Sequence, residues 1–315
     1  MSSNSTPVTS QLSESFLSRS PSKACFQSYF SHLKSKENST LLHQQLRHLL
    51  DWNDRALEDL DQNRGQALDK HIIKMLFKIS DLLEVPDLTK IHGIEIYDKW
   101  ALAYDIELKS LEPYLSTSEM ELLEKKFKDD LLLQIGTCIL LASKSVCCGS
   151  SLFSEDLYNL LKRMNPEYEL KDVNSSELKV LSALNFNLNC LTPLEIADVI
   201  LMLLNLGEED YRYLYGVCIR VIDFVYLMKK QVYAAVKDKM NSQNTTTVTQ
   251  VKMTVSKLEN DYVLRAAAAI QCATFITSPE NPWIYLDSLV DLTRKPEKDI
   301  RNVSNSIGAF LLIVE

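Results

Sequence analysis

The stretch Leu131–Val146 constrains this chain more than any other. Leu131, Leu132, Leu133, Ile135, Cys138, Ile139, Leu140 and Leu141 fall almost all round a helix rather than along one stripe. A helix of that kind has no face to offer to water and belongs at the centre of a bundle. Gly136, Thr137 and Ala142 would let its neighbours approach closely. Ala266-Ala267-Ala268-Ala269 marks a second helix, expected over 255–277, that is thin enough to be packed on several sides.

Three- and four-residue apolar spacing predicts the other helices. From residue 40 onward Leu42, Leu46, Leu49 and Leu50 recur in this way. A helix over 69–85 carries Ile72, Ile73, Leu76, Ile79 and Leu82 and stops at Pro86. The next, over 87–106, carries Ile91, Ile94, Ile96 and Trp100. A long polar connection, 107–128, then leads to the central helix. Two more helices are expected at 154–164 and 169–184. Thr192-Pro193 reads as an N-cap followed by proline at the first helical position, and the domain boundary is placed there. Further helices are expected at 193–206, 209–229, 231–240, 283–293 and 296–314, with a polar loop at 241–250. No strand alternation of any length occurs. The expected fold is all-α, with two five-helix units in tandem. Residues 1–40 form a Ser-rich tail too poor in apolar residues to offset its ordering entropy. An N-terminal helix and the first unit occupy 41–192, and the second unit occupies 193–315.

Composition narrows the function. The net charge of -8 argues against a nucleic-acid surface, which needs clustered Lys and Arg. No apolar stretch is long enough to span a bilayer, and no signal peptide is expected. The seven cysteines include no Cys-x-x-Cys pair; they are read as reduced thiols, with Cys138, Cys218 and Cys272 in the core. Catalytic motifs are missing too. The five histidines form no His-Glu-x-x-His pair, and seven glycines leave little for a phosphate cradle. The acidic clusters Asp129-Asp130 and Glu208-Glu209-Asp210 are placed near helix starts, where the dipole favours negative charge. No catalytic residue, metal ligand or cofactor is expected; the chain reads as a binding protein rather than an enzyme.

Four segments, in order, carry a resemblance. Cys138-Ile139-Leu140-Leu141-Ala142-Ser143-Lys144 is close to the Leu-Leu-Ala-Ser-Lys pattern of the cyclin box. Glu177 to Phe186 resembles its Glu, Val-Leu and Leu-x-Phe helix. Tyr97-Asp98-Lys99-Trp100 resembles its second helix, and Thr192-Pro193 its linker. Within the cyclin family the chain is most similar to the meiotic crossover cyclins, through Leu184-Asn185-Phe186 to Leu194, Asp223-Phe224-Val225-Tyr226-Leu227, Asp261-Tyr262-Val263-Leu264 and the long 107–128 connection.

The resemblance implies a nuclear regulatory subunit on meiotic chromosomes. Its partners would be a cyclin-dependent kinase and crossover proteins of homologous recombination. The alternative is a kinase-independent scaffold that recruits crossover proteins through the same fold. In cyclins the residues matching Lys144 and Glu177 grip the kinase's regulatory helix and activating segment. The residues themselves also permit a local reading, with Lys144 satisfying helix-terminal carbonyls and Glu177 in a capping box with Asn174. Ser20, in Ser20-Pro21-Ser22-Lys23, fits the Ser-Pro-x-Lys pattern that such kinases phosphorylate. Two stretches depart from the family pattern. Asp69-Lys70-His71-Ile72-Ile73, with Leu76, replaces its substrate-docking patch, and Ser145-Val146-Cys147 replaces the Phe-Glu-Glu that follows the Lys.

Overall fold

The computed structural model describes residues 36–58, 67–146, 151–243 and 256–311; among these it contains helices and no strand. The N-terminal helix α1 (Lys36–Glu58) begins inside the segment expected to be a tail, the rest of which, with Ser20, lies outside the described residues. Leu42, Leu46 and Leu50 form its buried stripe, which lies chiefly against the helix that opens the second unit.

The first unit comprises α2 (Lys70–Leu82), α3 (Asp87–Leu111), α4 (Thr117–Asp129), α5 (Leu131–Val146), α6 (Ser154–Met164) and α7 (Leu170–Ala183). Asp69 caps α2, its carboxylate accepting from the Ile72 N–H at 2.8 Å. As its all-round apolarity requires, α5 is the centre, touched by α2, α3, α6 and α7. Ile135, Cys138, Ile139, Leu140 and Ala142 have no exposed surface. Each large side chain buried to this extent stabilises the fold by about 1.5–3 kcal/mol before ordering costs. Where α3 crosses α5, Gly93 leaves room for Ile139; an added Cβ would lie 3.1 Å from its Cγ1.

The 107–128 connection is largely helical, contrary to the sequence expectation. The helix α3 runs on to Leu111, a short 3-10 turn follows, and Ser116 opens α4 through a reciprocal capping box with Glu119. Stacking of Phe127 on Trp100 and Tyr104, with ring centroids 5.6 and 4.7 Å away, holds α4 against α3.

The second unit repeats this plan with α8 (Pro193–Leu203), α9 (Glu208–Leu227), α10 (Lys229–Gln243), α11 (Tyr262–Thr277), α12 (Leu286–Thr293) and α13 (Glu297–Leu311). Thr192 caps α8 in a capping box with Glu195, as its sequence predicts. The Ala-rich α11 is the central helix, touched by α8, α9, α12 and α13, and Ala266 through Ala269 are fully buried. The single helix expected over 255–277 is broken at Asp261. Its extended backbone is held by polar partners: Asn53 Nδ2 and the Leu264 N–H donate to Oδ1, and Lys295 Nζ pairs with Oδ2 at 2.7 Å. The polar loop expected at 241–250 is helical to Gln243, and its remainder lies outside the described residues. One continuous apolar core runs through both units.

Candidate partner-binding site

Lys144 stands in the last turn of α5, and Glu177 lies two turns into α7. The two helices are registered by a buried hydrogen bond between Thr137 Oγ1 and Ser176 Oγ, 2.9 Å long. Beside it, Lys144 Nζ donates to Glu177 Oε1 at 2.5 Å. The second carboxylate oxygen of Glu177 accepts from Ser154 Oγ at 3.4 Å. Ser154 is the first residue of α6, so the carboxylate lies between an ammonium and the positive end of a helix dipole. Ser143 Oγ accepts from the Leu152 N–H at 2.9 Å and anchors the chain that enters α6.

The sequence placed Lys144 and Glu177 on two separate helices, and the structure brings them into contact. It removes the capping reading of Glu177: the cap of α7 is Glu169, so Asn174 lies inside the helix and forms no capping box with Glu177. Lys144 sits at the end of its helix, whereas Glu177 lies in the middle of α7. The Lys144 side chain is 36% exposed and that of Glu177 17%, so the pair sits at the surface with its base buried. An ammonium carries three N–H donors, and one is directed to Glu177. The pair thus offers further donors to carbonyl groups of anything laid across α5 and α7.

The elements that carry this pair also present large exposed apolar side chains, a feature that sequence reasoning missed. Phe153 immediately precedes α6, Leu178 follows Glu177 on α7, and Phe186 lies in the loop leaving α7; they are 68%, 58% and 66% exposed. Phe186 and its neighbour Asn185 both take left-handed φ, 58° and 50°, secured by the Phe186 N–H bond to the Leu181 carbonyl. Holding a bulky residue there costs conformational energy, and the result is an aromatic ring aimed at solvent. The available signal was Leu178 and Phe186 lying off the buried stripe of Val173, Ser176 and Val180.

The other residues singled out in the sequence lie away from this site. Cys138, Cys218 and Cys272 are buried in the core, together with Cys190. Burial pushes the Cys138 and Cys218 thiols far above the usual range and that of Cys272 up to about 12, so all three are neutral. Glu208, Glu209 and Asp210 occupy the first turn of α9; Asp130 precedes α5, but Asp129 is the last residue of α4, at the end where the dipole opposes negative charge. Among the described residues no His, Cys, Asp and Glu groups are placed to hold a metal, and no helix is long and apolar enough to cross a membrane.

The fold matches the crystal structure of a viral cyclin from herpesvirus saimiri, with a TM-score of 0.53 over 85% of this chain and all of the other, at 12% identity. By sequence the chain is similar to mouse Cyclin N-terminal domain-containing protein 1, at 23% identity over 244 residues, which covers 75% of this chain and 72% of the mouse protein. Its likeness to the human protein of the same name is 21% over 243 residues, covering 75% and 73%. No family sequence model matches the chain.

Proposed function

From the cyclin fold and the likeness to two cyclin N-terminal domain-containing proteins, we propose that the chain is a non-catalytic regulatory subunit of the cyclin family that docks a cyclin-dependent kinase across α5 and α7. The observation that carries this reading is the partly exposed Lys144–Glu177 pair, on elements that also expose Phe153, Leu178 and Phe186. A polar centre that supplies charge-assisted hydrogen bonds, together with apolar side chains that exclude water, suits a helix of another protein. Likeness to the meiotic crossover cyclins extends the proposal to a nuclear complex on meiotic chromosomes that promotes crossover formation.

The test is a pull-down of cyclin-dependent kinases from meiotic cells with the full chain and with Lys144→Ala/Glu177→Ala. Removing charge-assisted bonds of this kind costs about 1.5–3 kcal/mol, a loss of roughly tenfold or more in affinity. The double variant should keep its helical circular dichroism and lose the kinase. Retention of the kinase at wild-type affinity would overturn the assignment of this face. The scaffold reading draws on Ser145-Val146-Cys147 standing where cyclins carry Phe-Glu-Glu. It predicts that crossover proteins co-purify with the wild-type chain while no kinase does.

A further inference from the structure

The two central helices are both 16 residues long, and laying one on the other end to end sets Ala142-Ser143-Lys144 against Ala273-Thr274-Phe275. The corresponding corner of the second unit therefore presents a ring where the first presents an ammonium. Phe275 packs edge-on against Trp283, with centroids 4.6 Å apart. Around them Tyr213, Ile276 and Ile284 are 58%, 52% and 51% exposed. Beside these opens a cavity of about 100 Å³, lined by Asp210, Tyr213 and Leu214 of α9 and by Thr277, Ser278 and Tyr285. Such a concentration of exposed apolar side chains marks an interaction surface rather than ordinary solvated surface.

Acidic groups predominate on its rim. Glu209 and Asp210 are exposed in the first turn of α9, Glu280 in the loop after α11, and Asp287 in the first turn of α12. No Lys or Arg occurs from Ala266 to Thr293. Two cations flank it, each paired: Arg212 with Glu208, and Arg301 with Glu297 and the Trp283 ring. Asp210 lies close enough to Tyr285 to help burial raise its hydroxyl pKa. An acidic rim repels acidic partners and draws basic ones.

We propose that this corner of the second unit, centred on Tyr213, Ile276 and Ile284, is a second docking surface for a partner-protein segment that carries large apolar side chains flanked by Lys or Arg. The site lies on a different unit from Lys144 and Glu177, so the chain could hold two partners at once, and the proposal stands whether or not the first is a kinase.

The test selects a displayed random peptide library on the full chain and measures the winning peptide, fluorescently labelled, by anisotropy. Selected peptides should combine Lys or Arg with Leu, Phe or Trp. Affinity should fall at least about tenfold, more than 1.4 kcal/mol, for Ile276→Ser/Ile284→Ser. Asp210→Asn/Asp287→Asn should weaken binding and flatten its salt dependence. Lys144→Ala/Glu177→Ala should bind the peptide as wild type does. Ile276, Ile284, Asp210 and Asp287 are exposed, so circular dichroism of those variants should be unchanged. Selection of no peptide, selection of neutral or acidic peptides, or unaltered binding to the Ile276→Ser/Ile284→Ser chain would each overturn the proposal. Self-association in sedimentation that Ile276→Ser/Ile284→Ser abolishes would do the same, since the occupant would then be a second copy.

Discussion

Lys90 of α3 and Asp223 of α9, 133 positions apart, form a buried ion pair across the two units, Nζ to Oδ2 2.7 Å. Asp87 is a second partner of Lys90 at 2.8 Å. Burial raises the Asp223 carboxyl above its ordinary pKa, and Lys90 opposes that shift. Truncating one member of such a pair typically costs about 3–5 kcal/mol, because the other charge is left buried and alone. Lys90→Met should lose stability on that scale in urea unfolding at neutral pH. Without Lys90, the folded-state pKa of Asp223 rises further above its unfolded value. The cost of the carboxylate, then left with the more distant and exposed Arg220 at 3.8 Å, is present above that folded pKa and disappears as pH falls through it. The gap between Lys90→Met and wild type should therefore narrow on acidification; a gap independent of pH would exclude this origin.

Arg265 should prove equally costly to remove. It lies fully buried on α11 with its guanidinium 5.0 and 5.2 Å from the centroids of the Tyr262 and Tyr226 rings. Both tyrosine hydroxyls donate to the buried carboxylate of Glu95 on α3. Arg265→Met deprives that carboxylate of a nearby cation and should cost about 3–5 kcal/mol. Arg265→Met/Glu95→Gln should recover part of the loss, a coupling that a double-mutant cycle measures.

Ser116→Ala tests the helix that interrupts the first unit. Loss of the cap that Ser116 shares with Glu119 should cost about 1 kcal/mol. Hydrogen exchange should quicken within α4 and stay unchanged in α5, since α4 is held to α3 mainly through Phe127.

A peptide of the Arg-x-Leu docking class should show no micromolar binding by calorimetry. Ile73 and Leu76 are wholly buried, Ile72 is 8% exposed, and the Asp69 carboxylate is occupied in capping α2. Such a peptide finds no apolar slot at that position, and it would face a charge that needs to stay solvated or capped.

Much of this architecture was legible along the chain because it rests on local chemistry. The all-round apolarity of Leu131–Val146 requires a central helix wherever the chain folds. Thr192-Pro193, with Glu195 three positions on, starts a helix by satisfying backbone donors within one turn. By the same logic Ser116 and Glu119 announced α4, but its weakly apolar face hid it, because its stability comes from Trp100 and Tyr104 on another helix. The resemblance singled out Lys144 and Glu177, and their separation of 33 positions says nothing of contact; only the packing of α5 on α7 brings them to 2.5 Å. Asp261 broke an expected helix for the same reason, since Asn53 and Lys295 reach it from far along the chain. Apolar periodicity reports which face a helix buries, because burial is non-directional and every residue on that face contributes. A buried charge is tolerable only beside a specific partner, and which partner that is depends on the tertiary structure.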